Sequence, residues 1–157
     1  MLVVYCEHMN FTREAICEIL SHCATQDLTS FVDTLLEVGA VKDVRAVRSP
    51  EVGTVQLQVR EPICQERFIL GDALVTVAEV AVGSSLGWAM RTGNDPHGAM
   101  AAAILDGWVA QSTPETDALH LTMLEDLLQA TVLHESTERS LKTTQVLSTA
   151  IQFEELD

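Results

Sequence analysis

Thr54-Val55-Gln56-Leu57-Gln58-Val59-Arg60 alternates polar and apolar residues without a break. Successive side chains on a strand point to opposite faces, so this period of two describes a strand with one covered and one wet face. Before it, Val44 to Arg48 reads as a partner strand, joined through Ser49-Pro50-Glu51-Val52-Gly53, whose proline and glycine suit a turn. After Pro62, Arg67 to Leu70 leads through Gly71-Asp72 into Ala73 to Val82. In that run Leu74, Thr76, Ala78, Val80 and Val82 share one face and Val75, Val77 and Ala81 the other, so both faces look largely covered. Gly83-Ser84-Ser85 is a short hairpin connection from which Leu86 to Arg91 returns as a further strand. Connections this short make the neighbours antiparallel.

Helical spacing flanks the strands. From Phe11 to Cys23, Ala15, Ile16, Ile19 and Leu20 recur on one side, with Asn10 or Thr12 as cap. Leu28, Phe31, Val32, Leu35 and Leu36 repeat the pattern up to Gly39, a suitable residue just past a helix end, and the two segments form a helical hairpin. Beyond the strands, Asp95 as N-cap and Pro96 at the first helical position open a helix whose stripe is Met100, Ala103, Ile104, Gly107, Trp108 and Gln111. Thr113 starts another, with Leu121, Leu124, Leu128 and Val132 on one side and Leu119, Met123 and Leu127 widening the apolar surface, which implies burial between two surfaces. The residues from His134 to Gln145 are polar, and Val146 to Leu156 reads as a tail ordered by a partner. The expected fold is α+β: an antiparallel sheet of four to five strands with an N-terminal helical hairpin and C-terminal helices packed on it. Residues 1–157 form one domain in this reading, with the polar or partner-ordered tail from about 134.

Hydrophobic residues make up 47% and charged residues 20% of the chain, too apolar for disorder. Met1-Leu2-Val3-Val4-Tyr5-Cys6-Glu7 lacks a basic region and a small-residue cleavage site, so a cytoplasmic location is expected. The net charge is −14. Phosphate backbones repel such a chain, which disfavours direct nucleic-acid binding. The charge is unevenly spread: residues 42–91 carry six basic and six acidic residues, whereas residues 92–157 carry eleven acids against Arg139 and Lys142. Any anion site must therefore lie in the middle segment.

The sequence contains no phosphate-binding loop, dinucleotide fingerprint or nucleophile elbow. Cys6, Cys17, Cys23 and Cys64 read as free thiols; neither Cys6-Glu7-His8 nor Cys17, His22 and Cys23 has metal-ligand spacing. Candidate substrate- or partner-facing residues are Arg60, Glu66, Arg67 and Asp72 at strand ends, where a planar guanidinium fork and carboxylates can orient an anion, and Asp95 and His97 at the start of the third helix. Ion pairing at the sheet edge is the structural alternative for the first four, and a solvent-facing position for His97. No catalytic residue and no metal ligand is assigned.

An ordered set of residues carries a resemblance. Arg48, Glu51, Gly53, Val55, Gln56, Gln58, Arg60, Glu66-Arg67-Phe68, Gly71-Asp72 and Thr76, followed by Leu86-Gly87, Gly93, Asp95, Ala99, Ala103 and Asp106, is similar to the G subunit of the bacterial carbon-phosphorus lyase system, PhnG. The resemblance implies a role in phosphonate use as an accessory subunit that is not catalytic alone. Working with PhnI-, PhnH- and PhnJ-like subunits and an ATP-binding PhnL-like subunit, it would help to transfer the ribose triphosphate moiety of ATP to methylphosphonate with release of adenine. ATP is then a substrate of the complex, and this chain holds no cofactor. The chain departs from the family pattern where Val77 and Ala81 replace arginines, where Gly93-Asn94-Asp95 replaces a Gly-Arg-Asp step, and at Val146 to Ala150. The alternative is an independent small-ligand-binding or hydrolytic α+β homodimer with a pocket near Arg60, Arg67 and Asp72.

Overall fold

A computed structural model describes residues 11–148. Along the chain run α1 (Arg13–His22), α2 (Thr25–Glu37), β1 (Val44–Arg60), β2 (Arg67–Val82), β3 (Ser85–Thr92), α3 (Pro96–Val109) and α4 (Pro114–Ser148). The sheet is antiparallel in the order β1-β2-β3, which confirms the α+β class and corrects the strand number from four or five to three. Segments expected as separate strands are continuous. Val44 to Arg48 and Thr54 to Arg60 belong to one strand, because the Ser49 to Gly53 stretch is taken up as irregularities in the β1/β2 register between Ala46 and Glu51 and not as a turn. An edge strand tolerates Pro50 there, since the missing N–H need not bond on the open side. Likewise Gly71 sits where the register shifts between Leu57 and Gln58, so the ladder runs on from Ala73 to Arg67 with a bulge.

Local chemistry sets the helix ends. The Thr12 hydroxyl accepts from the Ala15 N–H at 3.3 Å, while Asn10, the other cap candidate, lies outside the described residues. Gly39, at φ 70°, lets the Ala40 N–H return to the Leu35 carbonyl at 2.9 Å and close α2. Asp95 caps α3 by accepting from the Gly98 N–H at 2.9 Å. α4 continues through the stretch expected as a polar tail and ends at Ser148; residues 149–157 lie outside the described residues.

α3 is the centre of the fold. From Gly98 to Val109 all but Met100 are buried, because one side lies on the sheet and the other meets the α1–α2 hairpin. Small residues allow the close approach that this needs. A Cβ at Gly87 on β3 would collide with the Ala103 carbonyl oxygen and the backbone of Gly107, so strand and helix backbones touch there. Trp108, 1% exposed, meets the Phe31 ring edge to face at 6.3 Å between centroids. Leu121, Leu124 and Leu128 of α4 join this core. The second side of α4 is not buried between two surfaces as its sequence implied: Leu119 is 69% and Met123 40% exposed.

The described helices cover one sheet face. On β3 the residues alternate without error, Gly87, Ala89 and Arg91 buried and Leu86, Trp88 and Met90 exposed. β3 pairs only with Val75 to Val82 of β2, so the rest of the β1–β2 hairpin projects as a two-stranded arm. At about 3.3 Å per residue the arm reaches roughly 25 Å beyond β3.

Gly87→Ala is expected to lower stability by about 2–3 kcal/mol, because the methyl group meets backbone and not a movable side chain. The urea unfolding midpoint measures this, and Gly53→Ala, where nothing stands within 4 Å of the new methyl, is the control.

Candidate functional site

Two polar networks fix the helices on the sheet. In the first, the Asp106 carboxylate, 2% exposed, accepts from Arg13 Nε at 2.7 Å and Nη2 at 2.8 Å, from the Trp88 N–H at 2.9 Å and from the Cys17 thiol at 3.1 Å. Arg13 also donates to the Leu86 carbonyl at 2.8 Å. Burial, then the Asp106 charge, push the Cys17 thiol up to about 12, so it stays protonated and donates. Its neighbour's hydrogen bond raises Arg13 above the ordinary guanidinium range.

In the second, Arg91, 8% exposed, spreads its guanidinium over the Leu20 carbonyl at 2.6 Å, the Cys23 carbonyl at 2.7 Å and Asp95 at 2.8 Å. Asp95 also accepts from the Thr25 hydroxyl at 2.6 Å, and the Thr76 hydroxyl accepts from the Asp95 N–H at 3.0 Å while donating to the Gly93 carbonyl at 2.7 Å. Burial would raise the Asp95 pKa, but hydrogen bonds from Thr25, Gly98 and Arg91 outweigh it and hold the carboxyl below its ordinary range. Asp95 is thus fully engaged in joining α2, β3 and α3. Arg91 and Asp106, which pattern reasoning did not single out as site residues, carry these networks; their signal in the sequence was a charged residue within an otherwise apolar stripe.

The remaining candidates are dispersed. Arg60 and Arg67 are direct cross-strand partners at the far end of the arm, and Glu66 lies in the turn beside them. Glu61 organises that turn by accepting from the Ile63 N–H at 2.9 Å and from the Cys64 N–H. Asp72, opposite Gln56, is exposed midway along the arm, and His97 is exposed on the first turn of α3. The structure therefore brings Arg60, Glu66 and Arg67 together and leaves them roughly 25–30 Å of strand away from Asp95 and His97. Two clefts of about 450 and 490 Å³ are lined by other residues, the first along α4 and the second around Lys42, Gln111 and His120. Among the described residues no group of three or more His, Cys, Asp or Glu side chains could hold a metal. Cys6 and His8 lie outside them. Cys17, Cys23 and Cys64 are free thiols.

The sheet face opposite α3 is not covered by any described helix. Register places Val55, Leu57, Val59 and Phe68 of the arm on the same side as Leu86, Trp88 and Met90. Leu57 is 44%, Phe68 46% and Leu86 66% exposed and Val55 and Val59 are half-buried, so no described element covers the apolar half of the Thr54 to Arg60 alternation. Val77 and Ala81 also lie on this side.

A family model described as Phosphonate metabolism protein PhnG matches residues 11–156. The chain belongs to the PhnG family. Membership associates it with phosphonate metabolism, and the match takes in every strand and helix described above. No helix among the described residues of this PhnG-family chain is long and apolar enough to cross a membrane.

Because the folded pKa of Asp95 is depressed, its network contributes stability above the unfolded carboxylate value and loses it as pH falls through the folded one. Urea midpoints measured from pH 6 down to pH 3 should fall more steeply for the native chain than for Asp95→Asn, which keeps the cap but not the charge.

Proposed function

We propose that this chain is an accessory subunit of the carbon-phosphorus lyase system, helping to transfer the ribose triphosphate moiety of ATP to methylphosphonate with release of adenine. In that exchange the bond from the ribose anomeric carbon to adenine breaks and one to a phosphonate oxygen forms. PhnI-, PhnH- and PhnJ-like subunits and an ATP-binding PhnL-like subunit are the partners, and the chemistry belongs to a partner's active site. Two lines support this reading: PhnG membership, and an arm whose apolar face is open to water.

The open arm is the observation that carries it. An isolated two-stranded hairpin is marginally stable in water, and one with leucine, valine and phenylalanine on a single face is stabilised when that face is covered. A subunit that shapes a neighbour's site needs such docking surfaces more than catalytic groups of its own. The tip suits the same role. Arg60 and Arg67 face one another, like charges directly opposite in a ladder, and neither has an ion-pair partner among the described residues. Their planar forks are matched by carboxylate or phosphate oxygens brought by the assembly.

Co-expression with a PhnI-like subunit tests this. The native chain should co-purify at micromolar concentration, Leu57→Asp should reduce recovery at least tenfold, and the isolated chain should release no adenine from ATP and methylphosphonate. Failure to co-purify, or adenine release by the chain alone, would overturn the assignment.

A further inference from the structure

α3 covers the sheet on the side of Ala78, Val80 and Ala89. The opposite side is open, with Leu86, Trp88 and Met90 at 66%, 45% and 36% exposure. We infer that in the absence of other subunits a second copy of this chain covers that side, packing sheet on sheet about a two-fold axis so that each arm lies across the other copy's β3. This goes beyond the accessory-subunit assignment and concerns the isolated chain.

Charge selects this occupant. The whole excess of negative charge lies outside residues 42–91, the segment that builds all three strands and that carries six bases and six acids. A sheet-to-sheet contact therefore joins two neutral surfaces and leaves the acidic helices on the outer sides. Contact through the helices would oppose like charges instead, at a cost that grows as they are desolvated.

The pattern on the face is also self-complementary. Beside the body β1 is charged, with Arg45 next to Ala81 and Arg48 next to Glu79, whereas along the arm it is apolar. Across β2 from Arg45 and Arg48, β3 carries Leu86 and Trp88. A two-fold rotation that crosses the arms sets each arm's apolar residues on the other copy's Leu86 to Met90 row and brings the charged rows toward the axis. Arg48 and Glu79 approach only to 3.9 Å within one chain and are 52% and 37% exposed, so each can turn to the partner copy without breaking a tight pair.

The size is adequate. At about 3.3 Å per residue and about 4.8 Å between strands, the three-stranded patch and the arm together project roughly 600 Å² on this side. Side-chain relief brings the accessible area toward the ~800 Å² per partner of a standard stable interface. Packed sheets stand about 10 Å apart, a gap that tryptophan, leucine and phenylalanine side chains from both copies fill.

Sedimentation equilibrium of the full chain at tens of micromolar tests the inference. A mass of twice 17.1 kDa is expected. Trp88→Lys and Leu57→Asp, both on the open side and away from the core, should each weaken self-association at least 100-fold with an unchanged circular dichroism spectrum. Gln58→Lys, on the other face of the arm, should leave the dimer intact. A monomeric native chain, or a dimer that survives both disruptive substitutions, overturns the inference. Since both assemblies use one face, adding a PhnI-like subunit should convert the homodimer into the mixed complex; co-purification of a chain that is monomeric alone overturns the homodimer and leaves the accessory-subunit assignment standing.

Discussion

A carboxylate taken almost wholly out of water must be matched by donors, because an unpaired buried charge costs more than any single packing contact returns. Asp106 is that carboxylate, and Arg13, Trp88 and Cys17 supply its donors. The consequences spread outward. α1 is held in one register on α3, and the pair Arg13 and Asp106 takes up the Leu86 carbonyl and the Trp88 N–H of β3. Side chains thus stand in for a fourth strand and close that edge of the sheet. The edge left open is β1, where Pro50 and the register irregularities discourage the addition of another strand.

Arg91 and Asp95 repeat the arrangement at the other end of β3, where the hairpin of α1 and α2 presents two carbonyls to one guanidinium. Two arginines are thereby consumed in holding the helices, Arg91 in the buried layer between sheet and helical hairpin and Arg13, 37% exposed, at the rim. Arg60 and Arg67 are set apart from them at the end of the arm. A division of labour follows. The body is closed by charged side chains turned inward, and the arm together with the open sheet face is turned outward.

The positions of the four described helices and the sense of the sheet are legible in the sequence, because the 3.6 and 2.0 residue periods are local properties of the chain, but the polar stretch from about 134, which continues α4 to Ser148, is not. Pattern reading divided the strands too finely. Pro50, Gly53 and Gly71 carry the chemistry of turns, and whether such residues turn the chain or are absorbed as bulges depends on the partner strand alongside, which is not a local property. The same limit applied to the candidate residues. Asp95 was legible as a helix cap, but its engagement by Arg91, Thr25 and Thr76 joins residues up to 70 positions apart. Arg60 and Arg67 were legible as strand-end cations; that they oppose one another across the ladder depends on the bulge near Gly71.

The residues alone determined that Thr54 to Arg60 is a strand with one face meant for cover, that Asp95 and Pro96 begin a helix, and that acid is concentrated outside the strands, since each follows from the order of side chains along a few residues. Only the tertiary structure decided that the chain's own helices cover the opposite side of the sheet and stop short of the arm. The physical reason is that α3 is 14 residues long, which at about 1.5 Å per residue spans roughly 20 Å, while β1 runs for 17 residues at about 3.3 Å each.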